Sequence, residues 1–136
     1  MARKPKALVF DSWALLAFLG GEPSGQLVAD LLSTAHENNI PMCMSAVNAG
    51  EVWYILARED SVAQADRAVT DMANLGIDLV DVDWPLTRVA GAFKARHRMS
   101  YADCFAAALA KDRKSELVTG DKEFKQVEGE VTVRWL

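Results

Sequence analysis

Four acids are placed where a fold could gather them. Asp11 directly follows the apolar run Ala7 to Phe10, and Asp121 follows Leu117 to Thr119 by one glycine. Glu51 sits six residues beyond Ser45, and Asp103 three beyond Ser100. The gaps between successive acids are 40, 52 and 18 residues, so only tertiary structure can unite them. Four uncompensated carboxylates in one pocket repel one another, and burial would drive some to protonate. A divalent cation resolves both problems. Ligands that are all oxygen, with no Cys or His, suit Mg²⁺ or Mn²⁺, hard ions that keep several waters and bind phosphate oxygens. Two such ions held by shared carboxylates would position a water and stabilise the leaving oxygen in phosphodiester hydrolysis.

The elements that would position these acids alternate between strand and helix. Ala7 to Phe10 reads as a strand buried on both faces, and Ser12 then caps a helix through Leu19 that Gly20 and Gly21 stop. A second helix is expected from a Ser24 cap to about Asn38, on the stripe Leu27, Val28, Leu31, Leu32 and Ala35. Pro41 to Met44 is a second strand, and helices follow from Val47 to Arg58 and from about Ser61 to Leu75. Leu79 to Val82 is a third strand. Asp83 with Pro85 opens a helix reaching about Arg98. Ser100 and Asp103 form a variant capping box before Tyr101 to Lys111, which is apolar almost all round and so reads as a buried helix. Leu117 to Thr119, a helical turn from Asp121 to Lys125, and a strand from Val131 to Trp135 complete the chain. Such alternation predicts an α/β layered fold with a mainly parallel sheet, which binds ligands at the carboxyl ends of its strands. Residues 1–136 read as one domain without repeats or linkers.

With these elements in order the chain resembles the PIN-domain nucleases, and within them the VapC-type toxins of bacterial toxin and antitoxin pairs. The resemblance spans nearly the whole chain. It rests on Val9-Phe10-Asp11-Ser12, on Ser45-Ala46-Val47-Asn48-Ala49-Gly50-Glu51-Val52, on Ser100-Tyr101-Ala102-Asp103-Cys104, and on Leu117-Val118-Thr119-Gly120-Asp121-Lys122-Glu123-Phe124. It implies a three-layer sandwich with a five-stranded sheet flanked by helices, and a Mg²⁺ or Mn²⁺ site built from Asp11, Glu51, Asp103 and Asp121. It further implies an endoribonuclease acting on structured RNA, leaving 5′-phosphate and 3′-hydroxyl ends. Supporting roles fall to Asn48, one helical turn before Glu51, and to Thr119. The resemblance also implies a homodimer and a VapB-type antitoxin that covers the acidic pocket, offering it an Arg, with an apolar groove between the first two helices to hold it.

Plainer accounts stand beside each acid. Asp11 could cap the helix at Trp13, Ser100 already explains an acid at position 103, Glu51 could face solvent, and Asp121 could simply start a turn. Asp78, Asp81 and Asp83 are explained by strand alternation and a cap. Lys94, Arg96, His97 and Arg98 are the densest basic segment. They read either as an RNA-contacting edge beside the metal site or as cations complementing a helix end. His36 and His97 have no partner at ligand or triad spacing. Trp13, Trp53, Trp84 and Trp135 are scattered and read as core or interface anchors rather than a stacking platform.

Composition bounds the rest. The chain is 51% apolar and 25% charged with 8 Gly and 4 Pro, which excludes disorder and low complexity. Its net charge of −4 repels nucleic acid overall, so a phosphate substrate needs a local device. Cys43 and Cys104 have no metal-ligand spacing and read as buried thiols. Arg3, Lys4 and Lys6 before an apolar run resemble a signal peptide. Asp11 interrupts that run, so a cytoplasmic protein without a membrane segment is expected. Competing readings are a catalytically silent PIN-fold module that binds RNA or protein, a DNA nuclease or phosphatase using the same site, and a phosphoacceptor receiver using Asp11, Thr119 and Lys122. The receiver lacks paired acids after the first strand.

Overall fold

The computed structural model describes residues 5–136, so Arg3 and Lys4 of the basic N-terminal stretch lie outside it. The chain runs β1 (Leu8–Phe10), α1 (Ser12–Leu19), α2 (Pro23–Glu37), β2 (Met42–Ser45), α3 (Ala46–Glu59) and α4 (Val62–Asn74). It continues through β3 (Ile77–Val80), α5 (Trp84–Arg96), α6 (Tyr101–Arg113), β4 (Glu116–Thr119), a 3₁₀ turn (Lys122–Val127) and β5 (Thr132–Trp135). The strands form one sheet in the order β3-β2-β1-β4-β5, and every pairing is parallel. The chain builds outward from β1 to β3 on one side, then crosses back to lay β4 and β5 on the other. The β1/β4 boundary is therefore the topological switch point, where open α/β sheets leave a crevice at their carboxyl ends.

Alternate strand residues point to opposite faces, and each face has its own core. Val9, Cys43 and Leu117 pack with Phe93 of α5 and Leu109 of α6. Leu8, Phe10, Met44 and Val118 pack with Leu15, Val28, Leu32, Val52 and Met72 from α1 to α4. The result is helices, sheet and helices in three layers, and burial of each large apolar side chain contributes about 1.5–3 kcal/mol. In α6 every residue from Asp103 to Ala110 is buried. Its alanines keep the helix thin enough to sit against β1, β2, α3 and α5 at once. Cys43 and Cys104 are buried free thiols, and burial pushes both pKa values up. Among the described residues no helix is long and apolar enough to cross a membrane.

Several expected boundaries shift, each for a local reason. Asp11, not Ser12, caps α1, because its carboxylate accepts the Ala14 N–H at 2.9 Å. Helix α2 starts at Pro23 rather than from a Ser24 cap; the fixed φ of proline suits the first turn, and Glu22 precedes it without a side-chain cap bond. Strand β3 lies two residues earlier than Leu79 to Val82. Buried Ile77 pairs with Met42 and anchors it, whereas Leu79 is exposed and Asp81 is past the last pairing. Helix α5 ends at Arg96, leaving His97 and Arg98 outside it.

Candidate active site

The carboxyl ends of β1 and β4 are tied together by one hydroxyl. Thr119 Oγ1 donates to Asp11 Oδ2 at 2.5 Å and accepts the Asp121 N–H at 3.0 Å. Asp11 is completely buried, with its other oxygen spent on the α1 cap. Asp121 Oδ1 accepts the Glu123 N–H at 2.9 Å, which opens the 3₁₀ turn. Capping and carboxylate placement are thus the same interactions, and the caps expected of Asp11 and Asp121 form.

Asn48 performs the equivalent task for three helices. Ser45, the cap of α3, donates its hydroxyl to Asn48 Oδ1 at 2.6 Å and accepts the Asn48 N–H at 3.0 Å. Asn48 Nδ2 donates to the Ala102 carbonyl of α6 at 3.0 Å, while Ser12 of α1 donates its hydroxyl to the Asn48 carbonyl at 3.1 Å. Asp103 is carried on one of the first turns so joined, and Glu51 on the next turn of α3, three residues after Asn48. The Asp103 N–H donates to Ser100 Oγ at 3.1 Å. Only this half of the expected capping box forms, and the Asp103 carboxyl turns instead toward the acids.

Glu51, Asp103 and Asp121 line one open cavity of about 400 Å³, together with Ser12, Trp13 and Glu123. Asp11 is beside it, close enough for the charges of Asp121 and Glu51 to act on it. All four expected acids therefore converge. Sequence reasoning passed over Glu123, yet carboxylate oxygens of Asp103, Asp121 and Glu123 lie within 4.8 Å of one another. The 3₁₀ turn that the Asp121 cap opens brings Glu123 back to the other two, which no local pattern marks. Burial, opposed by the Thr119 and Ala14 hydrogen bonds and reinforced by Asp121 and Glu51, raises the Asp11 pKa to about 7. Burial, a hydrogen bond to Glu123 and the charges of Asp121, Asp11 and Glu123 raise that of Asp103 to about 8. This oxygen-only, over-negative donor set fits a hard divalent cation.

The basic segment is only partly free. Lys94 Nζ donates to the Met99 carbonyl at 2.6 Å, and Arg96 pairs with Glu130 at 3.1 Å while lying 5.3 Å from the Phe93 ring centre. Arg98 is held by its backbone to Gln126, in the turn that begins at Asp121, and its side chain is exposed. Asp83 caps α5 through the Leu86 N–H, as expected. His36 is exposed on α2, and His97 Nε2 lies 3.5 Å from Glu130. None of the four tryptophans is fully buried, and Trp84 is 70% exposed.

A wholly parallel sheet in this strand order, with carboxylates meeting at its switch point, is the arrangement of a PIN domain. The PIN domain family model matches residues 8–130, and the chain belongs to that family. Its fold is shared with the solved VapBC of Salmonella typhimurium bound to DNA (TM-score 0.75, 14% identity, covering 94% of this chain and 96% of that one). It is shared also with VapBC2 of Rickettsia felis bound to a DNA fragment from its promoter (0.73, 17%, 96% and 98%). A third similar structure is VapC20 of Mycobacterium tuberculosis, a sarcin-ricin loop cleaving toxin (0.70, 20%, 94% and 99%). A search of curated proteins found no match.

Proposed function

We propose that this chain, as a single PIN domain over residues 1–136, is a VapC-type toxin: a metal-dependent endoribonuclease that cuts structured RNA of the tRNA or rRNA class and so inhibits translation. The observation that carries this reading is the convergence of Asp11, Glu51, Asp103, Asp121 and Glu123 at one cavity, at the cost of raising the pKa of two of them. A fold that served only for binding gains nothing from carboxylates that repel. Asp11, Glu51, Asp103 and Asp121 would hold Mg²⁺ or Mn²⁺, with Glu123 in reach. When bound, such an ion activates water and offsets charge on the phosphate.

The protein's own groups do the remaining work. Thr119 holds Asp11 in one rotamer, and Asn48 fixes the helix turns bearing Glu51 and Asp103. A cavity carboxylate accepts the proton of the attacking water, and in-line displacement expels the 3′ oxygen. Lys94, Arg96 and Arg98 are the proposed RNA contacts, of which Arg98 has the freest side chain. The acidic cavity is complementary to an arginine of a VapB-type antitoxin. The related structures solved as VapBC support that partner; a cytoplasmic homodimer is what the family resemblance adds to the reading. Sequencing the ends of RNA fragments made with Mn²⁺ tests the mechanism. Ends bearing 5′-phosphate and 3′-hydroxyl are expected, and 2′,3′-cyclic phosphates would refute it.

A further inference from the structure

Among the described residues Trp13 is the one aromatic lining the acid cavity, and it belongs to neither hydrophobic core. It is half-buried, in the first turn of α1, directly after the capping acid Asp11. Leu16 and Ile55 line the same cavity, so apolar side chains share it with the carboxylates Asp103 and Asp121. The ring also lies against the backbone of Gly120. A Cβ added at Gly120 would fall within bonding-clash distance of three atoms of the Trp13 benzo ring. Gly120 does not have the positive φ that requires glycine, as Gly21 and Gly76 do. Its lack of a side chain is explained by the indole lying against it, between Thr119 and Asp121. A large, flat side chain that contributes to no core is suited to stacking a ligand.

We propose that Trp13 stacks an unpaired nucleobase of the RNA beside the scissile phosphate, making it a specificity-determining residue of this site. The inference rests on the ribonuclease reading and names what that site selects. An acidic cavity in a net-negative protein gains little from phosphate contacts alone, whereas every base offers a π-face, so stacking supplies affinity that is tolerant of charge. The base must be out of its helix to reach the ring, which confines cleavage to loops, bulges and single strands. The preference is for unpaired sites rather than for one base, because the π-face that stacks is common to all four bases.

The test is equilibrium binding of two labelled hexaribonucleotides of equal charge, one of uridines and one fully abasic, with Ca²⁺ present as a hard ion for the carboxylates. Wild type is expected to prefer the base-bearing strand by about tenfold. Trp13→Ala should reduce that preference to under threefold, and Trp13→Phe should retain most of it, with folding of each verified by circular dichroism. Equal affinity of wild type for the two strands, or a preference that survives Trp13→Ala, would overturn the proposal and leave these apolar side chains to a protein partner. Cleavage of total RNA by wild type is scored separately. Cleavage without a Trp13-dependent base preference defeats this inference alone, and a Trp13-dependent preference without cleavage defeats only the ribonuclease reading.

Discussion

Asp103 sits in conflict with its neighbours, and the conflict can be measured. Its pKa of about 8 exceeds that of an exposed aspartate, so the folded protein binds a proton that the unfolded chain has released. Stability of the metal-free protein therefore falls as pH rises from about 4 to about 8. Asp103→Asn removes the titrating group while keeping the shape. At pH 8 it should raise the melting temperature of the metal-free protein by at least about 5 °C, while abolishing cleavage. A melting temperature that drops, read by circular dichroism, would mean that the carboxylate stabilises the apo fold. The same protons compete with metal. Mn²⁺ affinity measured by calorimetry should rise at least tenfold between pH 6 and pH 8, as Asp11 and Asp103 ionise. At this scale the four acids were legible because Asp11 and Asp121 come within two residues of a strand's end, and Asp103 and Glu51 lie in the first two turns of helices with serine caps. Glu123 was not, since nothing in its type or local pattern distinguishes it from a surface glutamate until the turn folds it back on Asp103.

Helices α1, α3 and α6 meet at Asn48, a buried amide whose polar atoms are all engaged. Asn48→Ala leaves the Ser45 hydroxyl and the Ala102 carbonyl short of a buried partner. The expected loss is about 1–3 kcal/mol of stability in urea denaturation. Cleavage should fall further than that loss explains, because the turns bearing Glu51 and Asp103 lose their common reference. An unchanged rate in a destabilised but folded variant would make Asn48 purely structural. Most elements were readable from caps: Ser45, Ser61, Asp83 and Ser100 each accept an N–H from their helix's first turn. The misplaced β3 was not, because an edge strand with one buried residue, Ile77, has too little periodicity to set its own limits. Its register comes from pairing with β2. Ser12 was misassigned for a related reason, since two adjacent residues can cap and tertiary contact with Asn48 decides which one does.

For the whole molecule, strand order could not be inferred from periodicity, which is blind to which strands become neighbours. The order β3-β2-β1-β4-β5 puts the switch point between the strands that precede Asp11 and Asp121, and that is what converts distant acids into one cavity. Net charge of −4 works against RNA, so binding should depend on few cations and weakly on salt. Arg98→Ala is expected to lower the slope of log affinity against log salt by about 0.7, the value for one phosphate contact on a single strand. Arg96→Ala should change it less, because Glu130 already engages that guanidinium. Equal slopes for Arg98→Ala and wild type would remove this edge from the RNA path. The central claim, that converging carboxylates cut RNA with a divalent ion, is tested most directly by incubating total cellular RNA with the purified, antitoxin-free protein. Wild type is compared with Asp11→Asn and Asp103→Asn, with Mg²⁺ or Mn²⁺ and with EDTA, folding being checked by circular dichroism. Discrete fragments from wild type, absent from both folded variants and after chelation, are the predicted result. Cleavage that persists in EDTA or in either variant would contradict it.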